Sequence, residues 1–173
     1  TEMVHEFQRY GVTSIDSTSP FRQAFKDDRD NYHTKDGNYV AIRIPQVDGN
    51  PSLKRAIKAG KIDQAKASKL ERACLEVVRA YDNGKASLED AVDLLREYEE
   101  LYGSKKDHSS AYRRTLEETP WKHCPCKICK ESGLEVVLFR GSERNKRRGF
   151  HNLWVFNQRL QKELSAKVVG VGN

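Results

Sequence analysis

The chain has 173 residues and carries 31 Lys and Arg against 25 Asp and Glu, a formal net charge of +6. This length suits one ordinary domain, or one domain with a small appendage, and excludes a complete large enzyme barrel. The basic excess lies late in the sequence and favours a polyanionic partner. Three of the four cysteines share one short motif, which fits a reducing compartment better than a disulfide framework. No apolar run has membrane length, so we expect a cytoplasmic protein with no membrane partner.

The first fifty residues contain short predicted elements around a polar loop. Residues 2–10 have the pattern of a helix, and residues 12–15 that of a short strand. Asp16 follows this strand in a loop, where an aspartate is most simply a turn residue whose side chain caps the loop. Residues 32–44 are predicted to form a β-hairpin, because β-branched and aromatic residues flank a turn that contains Asp and Gly.

Residues 51–118 change to a helical pattern that contains no recognisable chemistry. Apolar residues at helical spacing predict one helical region that ends near Asn83. A second helix is predicted from a capping box at Ser87 and Asp90, and a weaker helix over residues 109–118. Cys74 lies within the first apolar stripe and is interpreted as a core residue rather than a ligand or nucleophile. We interpret this block as a helical insertion.

The strongest motif of the chain is formed by Cys124, Cys126 and Cys129 with the later His151. Three thiolates and one imidazole suit a tetrahedral Zn²⁺ ion. A shell of four protein ligands leaves no open position for water, so the predicted role of the zinc is structural. His123 is an alternative fourth ligand, although it adjoins Cys124 and adjacent residues rarely both reach one ion. Reduced, buried cysteines with a capping histidine are the other interpretation.

The C-terminal region also contains a run of basic residues. A short strand is predicted over residues 134–139, then a basic loop over residues 140–148 and a helix over residues 151–164. Such a loop is usually just solvated, but next to a metal-pinned helix it can neutralise several phosphates. The candidate nucleic-acid-binding residues in it are Arg140, Arg144, Lys146, Arg147 and Arg148.

Two stretches, near opposite ends of the chain, resemble the tRNA-guanine transglycosylases and their relatives. One is the Cys-x-Cys-x-x-Cys run, which is followed by His151-Asn152-Leu153 and a helix with aromatic residues. The other, residues 11–22, is similar to a Gly-x-x-x-Phe-Asp-Cys-x-x-Pro-Thr-Arg segment of the family, with Ser17 where cysteine is usual. The resemblance covers roughly residues 8–45 and 119–165, and the helical insertion has no recognised counterpart in the tRNA enzymes.

The resemblance implies a function for two residues near the N-terminal end. Asp16 falls on the catalytic nucleophile, which attacks C1′ of the target nucleoside as guanine leaves and forms a covalent glycosyl-enzyme intermediate. Arg22 falls on an arginine that grips the nucleic acid. The insertion, residues 139–151 and Ser17 are most similar to the DNA-acting branch, which exchanges guanine in DNA for a 7-deazaguanine such as preQ0. The same exchange on tRNA is one alternative, and a zinc-dependent nucleic-acid-binding module without catalysis is the other.

The resemblance also implies a fold and further partners. The expected fold is α/β, the C-terminal part of a TIM (β/α)₈ barrel with a helical insertion and a zinc-binding subdomain. Residues 1–50 would supply the last barrel strand, the nucleophile loop and the hairpin, residues 51–118 the insertion, and residues 119–173 the zinc-binding subdomain. The general base and the purine pocket have no candidates in this chain. We therefore expect the remainder of the barrel from another chain or segment, with nucleic acid and a 7-deazaguanine base as further partners.

Overall fold

The computed structural model describes residues 10–12, 14, 16–26, 30–104 and 106–166. The predicted helix over residues 2–10 and the predicted strand over residues 12–15 lie wholly or partly outside these residues, and both stay predictions. The first described helix is α1, Ser19–Gln23, which directly follows the loop that contains Asp16. Pro20 in its first turn suits the start of a helix, because the missing N–H has no partner to lose there.

Four short strands form two separate pairs in the described part of the chain. β1 (Tyr32–His33) pairs antiparallel with β2 (Asn38–Tyr39), which confirms the predicted hairpin for its first half. β3 (Ile42–Arg43) instead pairs in parallel with β4 (Leu138–Phe139). The sequence around β3 is almost continuously apolar, and Ala41, Ile42 and Ile44 are buried, as in parallel strands covered on both faces. The predicted hairpin therefore ends at Tyr39, and no closed barrel is formed by the residues that the structure describes.

The predicted insertion contains four helices joined by short connections. Its helices are α2 (Pro51–Lys58), α3 (Gln64–Asp82), α4 (Leu88–Leu101) and α5 (Ser109–Glu118). The predicted ends are confirmed at Asn83, which caps α3, and at the capping box of Ser87 and Asp90. α2 and α3 are separate helices because Gly60 adopts a φ of +68°, a conformation that L side chains rarely allow.

The C-terminal region differs from its prediction. After α6 (Pro120–His123) and α7 (Lys127–Ser132), residues Gly133–Val137 form a 3₁₀ helix, so only Leu138–Phe139 of the predicted strand is a strand. α8 spans Ser142–Ala166 and includes most of the predicted basic loop. Its first turns form a helix because Arg, Lys and Glu are good helix formers, and Glu143 lies favourably in the first turn.

One hydrophobic core connects all three predicted regions. Its members include Tyr32 and Ile42 from the first region, Cys74, Val78, Leu95, Tyr98 and Leu116 from the insertion, and Trp121, Cys129, Val137 and Leu138 from the last. Cys74 has no exposed surface, and burial raises the pKa of its thiol to about 12, which confirms it as a core residue. The division at residues 50 and 118 stays a prediction. Among the described helices, none is both long and apolar enough to cross a lipid bilayer.

Candidate functional site

The four predicted metal ligands lie together. The sulfurs of Cys124, Cys126 and Cys129 are 3.7, 3.4 and 3.3 Å from Nδ1 of His151. All four ligand atoms lie within 4.8 Å of one another. A tetrahedral zinc ion with bonds of about 2.3 Å to sulfur and about 2.1 Å to nitrogen separates sulfur from nitrogen by about 3.6 Å. The cluster therefore has the donor atoms and the spacing that a Zn²⁺ ion requires.

Local backbone structure places the three cysteines around one point. Cys124 is an extended residue at the end of α6, and Cys126 is the N-cap of α7. The Cys126 sulfur accepts a hydrogen bond from the main-chain N–H of Cys129, 3.3 Å away. Cys126 and Cys129 are buried, and Cys124 is half-buried. The tight turn that leads into this short helix thus directs the three thiols toward one point.

His151 is held in the orientation that a ligand needs. Its Nε2 donates to the carbonyl oxygen of His33 at 2.7 Å, which leaves Nδ1 as an acceptor facing the sulfurs. The imidazole stacks on Tyr32, with the ring centroids 4.3 Å apart. Such a partner on the second ring nitrogen is typical of metal-bound histidines. His123 is exposed and is not part of the cluster, so the structure groups His151, and not His123, with the three cysteines.

The electrostatics of the cluster favour a cation. Hydrogen bonds with the Cys124 and Cys129 thiols hold the pKa of Cys126 far below its ordinary value. Burial lowers the pKa of His151, but hydrogen bonds to the Cys124 and Cys126 sulfurs outweigh it and raise this pKa to about 9. Burial raises the pKa of Tyr32, so its hydroxyl stays protonated and donates to the Cys129 sulfur at 3.3 Å. These shifts apply to the cluster without an ion: a proton on Nδ1 of His151 then occupies the place that a bound Zn²⁺ would take, and metal binding would release it.

The residues next to His151 attach α1 to α8. Asn152 is fully buried, and its side-chain amide donates to the carbonyls of Pro20 and Asn31, both at 3.1 Å. Its side-chain oxygen accepts from the main-chain N–H of His33 at 3.0 Å. Gly149 of α8 leaves room for the Phe21 ring of α1, because a Cβ atom at position 149 would lie 2.6 Å from Cδ2 of Phe21. The helix that carries a metal ligand therefore also positions the segment that follows Asp16.

Arg148 differs from its predicted role as a nucleic-acid-binding residue. Its side chain is fully buried, and burial lowers the pKa of the guanidinium to about 9. It donates to the carbonyls of Val136 at 3.3 Å, Leu138 at 3.1 Å and Ala24 at 2.7 Å, and to the side-chain oxygen of Asn145. A guanidinium without exposed surface does not reach a phosphate. In this structure Arg148 joins α8 to α1 and β4.

The other predicted site residues are spread over the surface. Two of the basic residues are engaged in ion pairs, Arg140 with Glu71 and Arg144 with Glu135. Lys146 pairs with Glu143 on the exposed face of α8, and Arg147 is exposed. Asp16 and Arg22 are both exposed, before and within α1. The structure brings the metal ligands together. The roles of the other residues stay predictions, those of Asp16, Arg22, Arg140, Arg144, Lys146 and Arg147.

Sequence reasoning overlooked three residues that shape this region. Tyr32 has the pattern of an ordinary strand residue, and Gly149 lies between the predicted loop and the predicted helix. Asn152 was visible in the His-Asn-Leu run, but its function, to bind the main chain of two distant segments, depends on tertiary contacts. The sequence signal for Asn152 was its place beside His151.

No family model matches the chain. The chain is 48% identical over 170 residues to a DNA-guanine transglycosylase of Salmonella montevideo. This similarity covers 96% of the chain and 41% of the relative, so the chain spans less than half of the relative's length. The chain is therefore similar, over nearly all of its own length, to a part of a DNA-guanine transglycosylase.

Proposed function

We propose that this chain is part of a base-exchange glycosyltransferase that replaces guanine in DNA with a 7-deazaguanine of the preQ0 type. The observation that carries the proposal is the 48% identity to a relative named for guanine exchange on DNA. Because the chain spans 41% of that relative, we propose that the remainder of a TIM barrel, from another chain or segment, supplies the purine pocket and the general base.

Asp16 is the proposed nucleophile. Its carboxylate attacks C1′ of the target nucleoside, and the bond from C1′ to the guanine nitrogen breaks as the aspartyl bond forms. The incoming 7-deazaguanine then attacks C1′ and releases the aspartate. A carboxylate suits both steps, because it stabilises the positive charge that develops on the sugar. The exposed position of Asp16 ahead of an anchored helix supports this assignment.

The proposed zinc ion has a structural role. Cys124, Cys126, Cys129 and His151 would hold it, and it would complete a closed tetrahedral shell. The shell ties the α6–α7 segment to α8, and Asn152 and Arg148 extend this support from α8 to α1. The metal centre would then act on catalysis only by fixing where Asp16 stands.

The proposed DNA contacts come from exposed basic side chains. Arg22 lies on α1 close to Asp16 in the chain, and Lys146 and Arg147 lie on the first turns of α8. Contacts of this kind position a nucleic acid through its phosphates and carry no sequence information. Base choice would belong to the purine pocket.

The test measures release of labelled guanine by this chain together with the proteins that copurify with it. Duplex DNA and, separately, tRNA are incubated with preQ0, and Asp16→Asn is compared with Asp48→Asn, an exposed aspartate in a turn. We expect release from DNA that Asp16→Asn abolishes and Asp48→Asn retains. Release from tRNA alone would transfer the reaction to tRNA. Binding of DNA without release from either substrate would leave a zinc-dependent binding module and overturn the proposal.

A further inference from the structure

A cavity of about 590 Å³ lies beside the metal centre. Its wall comes from the hairpin of β1 and β2, from α5 and α6 and from α8, and it includes the metal ligands Cys124 and His151. Small-molecule sites have volumes of about 300 to 1,000 Å³. This cavity, which we call the aromatic cavity, therefore has room for a small organic ligand.

Aromatic side chains form much of its wall: Tyr39, His123 and Trp154. The Tyr39 ring is held in place, because its hydroxyl donates to the Glu118 carboxylate and the Arg114 guanidinium lies over its face, 4.4 Å from the centroid. Trp154 is half-buried on α8 and packs against the hydrophobic core. Side chains that are already fixed lose little conformational freedom when a ligand binds. The wall is therefore suited to a planar ring.

The formal charges of the Lys, Arg, Asp and Glu side chains in this wall cancel. Two are basic and two are acidic: Lys35, Arg114, Asp36 and Glu118. Arg114 and Glu118 form an ion pair with one another at 3.0 Å. The aromatic cavity thus favours the ring of a ligand rather than its charged group.

A basic groove adjoins the aromatic cavity. This groove has a volume of about 300 Å³, and Lys35 lines both spaces. Its other charged side chains are Arg159 and Lys162 of α8, and no carboxylate belongs to the described residues of its wall. The Arg159 guanidinium donates to three oxygens of residues 34–38, the turn that carries Lys35. These three oxygens are uncharged, so the bonds fix the turn and leave the positive charge of Arg159 uncancelled.

The two spaces together indicate the chemistry of the ligand. An uncharged aromatic ligand would explain the aromatic cavity and leave the basic groove without a function. A phosphate alone would not require the rings. A nucleotide has both a planar base and a phosphate, joined by one sugar. Aromatic side chains beside a cationic groove are also the arrangement by which proteins bind unpaired nucleic-acid strands.

We propose that the aromatic cavity binds the base of an unpaired nucleotide, whose phosphate lies in the basic groove between Lys35 and Lys162. A base within a duplex is covered by its neighbours, so it must leave the stack before it can contact a protein ring on its face. The nucleotide belongs either to a DNA strand or to a free mononucleotide. The proposal uses only the two spaces described here and does not depend on the guanine exchange proposed above.

The test measures binding to the zinc-loaded full chain by fluorescence anisotropy. The probe is a fluorescein-labelled oligothymidylate strand, and its duplex and thymidine monophosphate compete with it. Trp154→Leu removes a ring of the wall and Trp154→Phe retains one, whereas His123→Ala changes an exposed wall residue outside the metal cluster. Lys35→Met removes the shared cation. Lys66→Met is its control, since Lys66 is an exposed lysine of α3 outside both walls.

We expect saturable binding of the strand, weakened about tenfold in Trp154→Leu and less in Trp154→Phe, as for loss of one stacked base. His123→Ala weakens binding as well. Lys35→Met weakens binding about threefold and makes it less dependent on salt, and Lys66→Met changes neither. Competition by thymidine monophosphate identifies a free nucleotide as sufficient, and its failure to compete identifies the strand as the source.

Tryptophan fluorescence provides a second readout. The chain has two tryptophans, and Trp121 is buried in the core, so quenching by the unlabelled strand reports on Trp154. We expect this quenching in the wild type and its loss in Trp154→Phe. Equal affinity of the wild type, Trp154→Leu and His123→Ala would overturn the proposal. A duplex that binds as tightly as the strand, or absence of saturable binding by both strand and monophosphate, would also overturn it.

Discussion

Gly149→Ala tests whether the Phe21 ring of α1 packs directly against the backbone of α8 at Gly149. A Cβ atom at this position would lie 2.6 and 2.8 Å from two ring carbons of Phe21, closer than atoms pack. Overpacking of this kind costs about 1 to 3 kcal/mol. Alanine also favours a helix interior over glycine by about 1 kcal/mol, which acts in the opposite direction. We therefore expect Gly149→Ala to lower the free energy of unfolding by about 1 kcal/mol.

Urea unfolding of the zinc-loaded protein measures this change, and a double-mutant cycle isolates its cause. In a Phe21→Ala background the ring is absent, so Gly149→Ala should stabilise the protein by about 1 kcal/mol through helix propensity alone. Asn157→Gly compared with Asn157→Ala, at an exposed position of α8, gives the propensity difference between glycine and alanine. Stabilisation of the wild type by Gly149→Ala would show that Phe21 moves aside freely, and the reasoning about α1 would fail.

Three further predictions concern the metal and two charged side chains. We expect the purified chain to contain one zinc ion per chain, measured by elemental mass spectrometry. Cys126→Ser should lower this zinc content, and Cys74→Ala, which lies outside the cluster, should leave it unchanged. Arg148→Met should lower the free energy of unfolding in urea by about 3 kcal/mol, because three buried carbonyls lose their donor. Weaker DNA binding with an unchanged free energy of unfolding would instead indicate that Arg148 binds phosphate. Burial raises the pKa of Glu135, but hydrogen bonds from Arg79 and Arg144 outweigh burial and lower this pKa below 4.5. The ion pairs of Glu135 therefore stabilise the fold above pH 4.5, and this stabilisation is lost as the pH falls and the carboxylate is protonated. The difference in unfolding free energy between wild type and Glu135→Gln should therefore be about 1 kcal/mol at neutral pH and shrink below about pH 4.5; a difference independent of pH would contradict this.

The metal centre was predictable because its signal is local. Three cysteines within one turn bring their sulfurs together almost regardless of the rest of the fold, and a distant histidine completes the set. The helices of the insertion were predictable for the same reason. Caps such as Ser87 with Asp90 act over a few residues, and the structure contains them where the sequence indicates.

The errors concern residues whose state depends on distant partners. Residues 41–44 include β-branched side chains, as the second strand of a hairpin does. Their partner is instead β4, almost a hundred positions later in the chain. Arg148 has the sequence pattern of one cation in a basic loop, and only its contacts with carbonyls of two distant segments, residues 136–138 and Ala24, explain why it is buried. Charge density alone does not distinguish a solvated helix face from a buried guanidinium.

The fold as a whole could not be predicted from this chain. The resemblance implies a barrel, whereas the described residues form two short strand pairs with many helices. Among the described residues, one pair of strands is parallel, and parallel strands need neighbours on both sides to close a barrel.

The central claim is that Asp16 forms a covalent bond with the sugar of a DNA nucleotide. The most direct measurement is mass spectrometry of the chain after incubation with duplex DNA and its copurifying partners, followed by denaturation, nuclease digestion and proteolysis. We predict a nucleoside-derived mass on the peptide that contains Asp16, absent in Asp16→Asn and present in Asp48→Asn. An adduct at another residue, or guanine release that persists in Asp16→Asn, would contradict the account.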